Sequence, residues 1–101
     1  MELSVTERLL LLNILPQQGN ALTLKIVKDL QGELSFSEAE IEVYGFDQRE
    51  GSLYWESEKE TTKEVDIGKK ALSVISERLE ELNKQAKLSM DQLSLYERFG
   101  P

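Results

Sequence analysis

The chain contains no cysteine and no histidine. Disulfides, thiolate nucleophiles, imidazole bases and zinc sites built from the usual ligands are thereby excluded. Proline is almost missing, with 2 in 101 residues, and aromatic side chains make up only 7%. Long hydrophobic runs are absent too. The longest, Leu9 to Leu12, falls far short of the roughly 20 residues that a membrane-spanning helix needs. Positive charge is scarce: Lys and Arg total 12 against 19 Asp and Glu, a formal net charge of -7. Such a field repels a phosphate backbone and an anionic bilayer alike. Local basic patches can override net charge, so nucleic acid is disfavoured rather than excluded, and no membrane partner is expected.

What is present suits a globular fold. Apolar residues at 40% can fill one core, and charged residues at 31% solvate its surface. The length fits a single domain, 1–101. The opening MELSVTER puts an acid before its first base, unlike a secretory signal, so a cytoplasmic protein is the expectation.

Local signals divide the chain. Ser4 with Glu7 has the spacing of a capping box, and RLLLLNIL then runs apolar on nearly every face, as a central buried helix would. Pro16 and Gly19 stop it. Asn20 or Thr23 can cap a second helix, whose apolar stripe is Ile26, Val27, Leu30 and Leu34. Ser37 and Glu40 make another capping box, Phe36 and Ile41 a hydrophobic staple across it, and Gly45 the left-handed residue that ends a short third helix. From Phe46 to Trp55 the pattern is a hairpin turning at Glu50-Gly51, with Leu53 and Trp55 on one face and Tyr54 on the other. Phe46 and Trp55 are expected to anchor the sheet.

The polar stretch ESEKETTKE suggests a loop, and Val65 and Ile67 alternate with charges as a short third strand would. Gly68 opens the longest helix, KKALSVISERLEELNKQAK, with Leu72, Ile75, Leu79, Leu82 and Ala86 at three-four spacing. Ser89 with Gln92, and Leu88 with Leu93, begin a last helix. The expected class is α+β: a winged-helix-like three-helix core and hairpin over 1–56, a polar loop over 57–64, and a third strand and two C-terminal helices over 65–101.

In a winged helix the third helix is the one offered to the major groove. Here its outward positions are Glu38, Glu40 and Glu42, with no neighbouring Lys or Arg, facing base edges that are mostly acceptors. Repulsion opposes docking on DNA. The plain reading is a solvated face with acids near the positive helix end; the functional one is a contact face for a basic protein partner, with Tyr54 as a further contact position. Leu72, Ile75, Leu79 and Leu82 can cover the sheet of their own chain or form a homodimer seam, which at two heptads is short for a coiled coil; the two are compatible, because the final helix could cover one side.

Lys25, Lys28, Lys69 and Lys70 supply the alternative, a nucleic-acid-binding regulator of winged-helix type. Gly68-Lys69-Lys70 lacks the spacing of a phosphate loop and reads more plainly as a helix start with solvated lysines. The i,i+4 pairs Glu38/Glu42 and Glu77/Glu81 would need a concave pocket to work as catalytic carboxylates. No calcium-loop pattern occurs. The expectation is a non-enzymatic module without metal or cofactor.

Read together, TERLLLLNILP, TLKIVKDL, LSFSEAEIEVYGF and LSLYERF resemble a group of small uncharacterised proteins encoded by tailed bacteriophages and prophages. The resemblance spans most of the chain, on helix caps and core positions rather than catalytic signatures. It implies a context, the bacterial host cytoplasm and an accessory or host-interacting role, and carries over no functional residues.

Overall fold

The computed structural model describes residues 1–56 and 62–100. In chain order they form β1 (Glu2–Leu3), α1 (Val5–Ile14), α2 (Ala21–Leu34), α3 (Glu38–Tyr44), β2 (Asp47–Arg49), β3 (Ser52–Tyr54), β4 (Lys63–Glu64), α4 (Lys69–Lys84) and α5 (Met90–Phe99). The class is α+β, with five helices and two antiparallel pairs of strands among the described residues.

Helix starts follow from side-chain chemistry. The Oγ atoms of Ser4, Ser37 and Ser89 accept from the backbone N–H three residues on, and Glu7, Glu40 and Gln92 return the bond to the cap's own N–H. Asn20, rather than Thr23, caps α2, accepting from the Thr23 N–H at 2.8 Å. Each cap satisfies donors that have no partner inside the helix. Gly45 ends α3 at φ +60°, and Glu50-Gly51 turns the hairpin with φ positive at both residues, the geometry a two-residue turn demands.

Helix α1 lies at the centre, packed against α2, α4 and α5. The core gathers Leu3, Leu11, Ile14, Leu15 and Val65 with Val27, Leu30 and Leu34 of α2, Ile75, Leu79 and Leu82 of α4, and Leu95 and Phe99 of α5. Burying each such side chain contributes about 1.5–3 kcal/mol. The seam of the long helix is thus filled by its own chain: Ile75, Leu79 and Leu82 are buried and Leu72 packs at the edge. The seam packs within its own chain, as one reading expected, but chiefly against α2 and α5 rather than over the wing sheet.

Three expectations need correction. Ala86 does not continue the seam. Helix α4 stops at Lys84, and Ala86 is exposed with φ +54°, closing the end through a Lys87 N–H bond to the Leu82 carbonyl at 2.8 Å. The sheet is not one but two. Asp47, Gln48 and Arg49 pair with Tyr54, Leu53 and Ser52, while a separate ladder joins Glu2 to Glu64 and Leu3 to Lys63. The third strand accordingly lies at Lys63–Glu64 rather than over Val65 and Ile67. Val65 follows it, with its N–H on the Met1 carbonyl at 2.8 Å and its side chain fully buried. Residues 57–61 of the expected polar loop lie outside the described residues.

Candidate interaction surface

Helix α3 is held by an arginine on another helix. Arg8 shares the inward stripe of α1 with Val5 and Leu11, and only 1% of it is exposed. A guanidinium so placed must find acceptors or destabilise the fold. It finds four. Its Nε donates to the Leu34 carbonyl at 3.1 Å and one Nη to the Ser35 carbonyl at 2.6 Å, where α2 leaves its last carbonyls unpaired. The two Nη groups also grip the Glu40 carboxylate at 2.5 and 3.2 Å. The guanidinium carbon lies 3.9 Å from the ring centroid of Phe36, a cation–π contact. One side chain therefore closes the end of α2 and fixes the start of α3.

Glu40 is consequently not an outward position of α3. Its side chain is 21% exposed and accepts from the Ser37 N–H at 3.0 Å, with Lys63 Nζ 3.9 Å away. Arg8's hydrogen bonds, against the opposing effect of burial and helped by the Ser37 amide and nearby positive charge, hold its carboxyl at about 2. The expectation that three glutamates share one exposed face fails at this residue, because Arg8 lies 32 positions away in sequence. One signal was available: a single cation on the buried stripe of an apolar helix requires a buried acceptor.

Glu38 and Glu42 do face solvent, and no Lys or Arg among the described residues forms an ion pair with either. Large apolar side chains are exposed on the same helix and on the hairpin. Ile41 is 48% exposed, Val43 50% and Tyr54 55%. Tyr54 lies outward on β3, as its alternation with Leu53 and Trp55 predicts. Behind them the aromatics form a chain: Phe46 meets Phe36 edge-on at 5.0 Å, Tyr44 at 5.8 Å and Trp55 at 6.1 Å. Phe46 and Trp55 thus join the hairpin to the helices. Between α1, the start of α3 and the hairpin runs an open groove of about 310 Å³, lined by Leu9, Leu12, Phe36, Ile41, Phe46 and Leu53, with Ser35 as its polar member. Sequence reasoning missed it, because its walls come from three separate elements.

The lysines fall elsewhere. Lys28, Lys69 and Lys70 line a broad open cleft of about 740 Å³ at the start of α4, where Gly68 provides no side-chain cap. Asp29, Glu33 and Asp66 line the same cleft, so its charges offset one another, and Lys25 is not among its walls. Glu81 of the Glu77/Glu81 pair bonds Arg78 at 2.9 Å. Arg78 also donates its Nε to the Ile14 carbonyl at 2.8 Å, doing for the end of α1 what Arg8 does for α2. Among the described residues no group of three or more acids is placed to hold a metal ion, and no helix is long and apolar enough to cross a membrane. No protein-family model, curated protein or solved structure matches the chain.

Proposed function

We propose that this protein is a non-catalytic, polypeptide-binding module, and that its contact face is the outer side of α3 together with the hairpin. One observation carries the reading: Glu38 and Glu42 stand exposed and in no ion pair among the described residues, on a helix that also turns Ile41 and Val43 to solvent, with Tyr54 exposed on the hairpin that follows. Apolar surface ringed by uncompensated charge is a recognised mark of a protein contact site. Three helices followed by a hairpin is the order of a winged helix. On that comparison α3 occupies the recognition position, and its carboxylates turn it from phosphates toward basic polypeptides. The resemblance to small proteins of tailed phages suggests that the partner belongs to a bacterial host.

The test is substitution of the two acids. Changing Glu38 and Glu42 together to Lys should abolish capture of the partner from a bacterial lysate while leaving circular dichroism unchanged. Unaltered capture would remove this face. Random duplex DNA titrated at low salt should show no binding; a steep salt-dependent affinity lost on neutralising Lys28, Lys69 and Lys70 would instead favour the winged-helix regulator.

A further inference from the structure

We propose that the groove between α1, α3 and the hairpin is the anchoring site for one kind of partner: a cationic amphipathic helix that seats large apolar side chains against Leu12, Ile41 and Leu53. The inference rests on the polypeptide-binding reading and specifies the chemistry of the occupant.

The groove is prebuilt. Phe36, in its floor, is held on one side by the buried Arg8 guanidinium and on another by Phe46, which Tyr44 and Trp55 brace in turn. A floor fixed in this way loses little freedom when a ligand arrives, which favours affinity. At about 310 Å³ it sits at the lower bound of small-molecule pockets, a size for a few anchoring side chains. Its lining selects the backbone of the occupant. Six of the seven lining residues are apolar and Ser35 is the exception, so an extended peptide would find few side chains to pair with its backbone and, beside the groove, a β3 edge only three residues long. A helix satisfies its own N–H and C=O groups and presents only side chains.

Charge selects the occupant's sign. Glu38 and Glu42 lie one turn apart on α3, next to the groove residue Ile41. Among the described residues the cations beside α3 and the hairpin are engaged: Arg8 and Lys63 with Glu40, and Arg49 with Asp47 at 2.6 Å. The rim is therefore anionic, and a second copy of this chain, at net -7, would meet it with like charge.

Methyl NMR on the full chain tests the proposal. The probes are synthetic helical peptides of about fifteen residues, long enough to hold a helix, with Leu and Phe at i, i+3/i+4 and i+7. One carries Lys on the remaining face and its counterpart carries Glu. The Lys peptide should shift the methyls of Leu9, Leu12, Ile41 and Leu53 saturably, bind roughly tenfold more tightly than the Glu peptide and weaken with salt. Leu53→Asp should remove the shifts with circular dichroism unchanged, and Ile41→Ser serves if that variant fails to fold. Equal binding of both peptides, shifts confined to another face, or no shift with the Lys peptide would overturn the proposal. So would concentration-dependent changes at these methyls without peptide, which would assign the groove to a second copy. Loss of partner capture by the Glu38/Glu42 double variant but not by Leu53→Asp would sink the groove while sparing the polypeptide-binding reading.

Discussion

At the scale of single residues, Arg8 carries more of the structure than any other polar side chain described. Replacing it with Ala should cost about 3–5 kcal/mol, because two carbonyls and a carboxylate lose their partner together. Urea denaturation should show this as a lower midpoint. Lys at the same position should recover only part of the loss, since an ammonium cannot reproduce the planar fork. The effect on Glu40 gives a pH signature. Its carboxyl titrates at about 2 when folded, against an ordinary 4.5, so between these values the unfolded chain binds more protons and stability rises with pH. The contribution is complete above the unfolded value and is lost as pH falls toward 2. Urea midpoints measured between pH 2.5 and 7 should therefore fall steeply on the acid side, and Glu40→Gln should flatten that slope. Some slope should remain, because Glu7 is also held low: burial pushes it up, but the Ser4 amide and Arg98 outweigh it. The sequence signals that Arg8 needs buried acceptors but not which ones, because its partners lie 26 to 32 positions away.

At the scale of elements, the helix starts and the hairpin were legible, and the ladder of β1 with β4 and the end of α4 were not. Ser4, Asn20, Ser37, Gly45, Gly51, Gly68 and Ser89 each act within four residues of their own position, and local chemistry sufficed to place them. β1 and β4 are two residues each. No periodicity can show in so short a span, which explains why the third strand was expected two positions late and in the wrong sheet. The end of α4 misled for another reason: Ala86 continues an apolar spacing but occupies a left-handed position that favours glycine. Ala86→Gly should accordingly stabilise the protein, relieving about 1–2 kcal/mol of left-handed strain against a smaller loss from the freer unfolded chain. Gly45→Ala, at φ +60° with open space around the added Cβ, should cost about 1–2 kcal/mol through the backbone alone. Thermal denaturation should move in opposite directions for the two, and a rise for Gly45→Ala would contradict the cap geometry.

At the scale of the whole molecule, the seam of α4 faces inward, so its leucines belong to the stability of the single chain. Leu79→Ala should cost about 2–5 kcal/mol, and light scattering over a range of concentrations should return the mass of one chain. A dimer lost on Leu79→Ala would show that the helix serves two masters. The outer face was half legible: Glu38, Glu42 and Tyr54 were placed outward by period alone, whereas the groove beside them needed three elements brought together. The segments 1–56 and 62–100 are joined by the β1–β4 ladder and by the contacts of α1 with α4 and α5. A ribosome delivers them one after the other. Until the second segment emerges, the side of α1 that α4 and α5 will cover has no partner, so the core cannot close on the first segment alone.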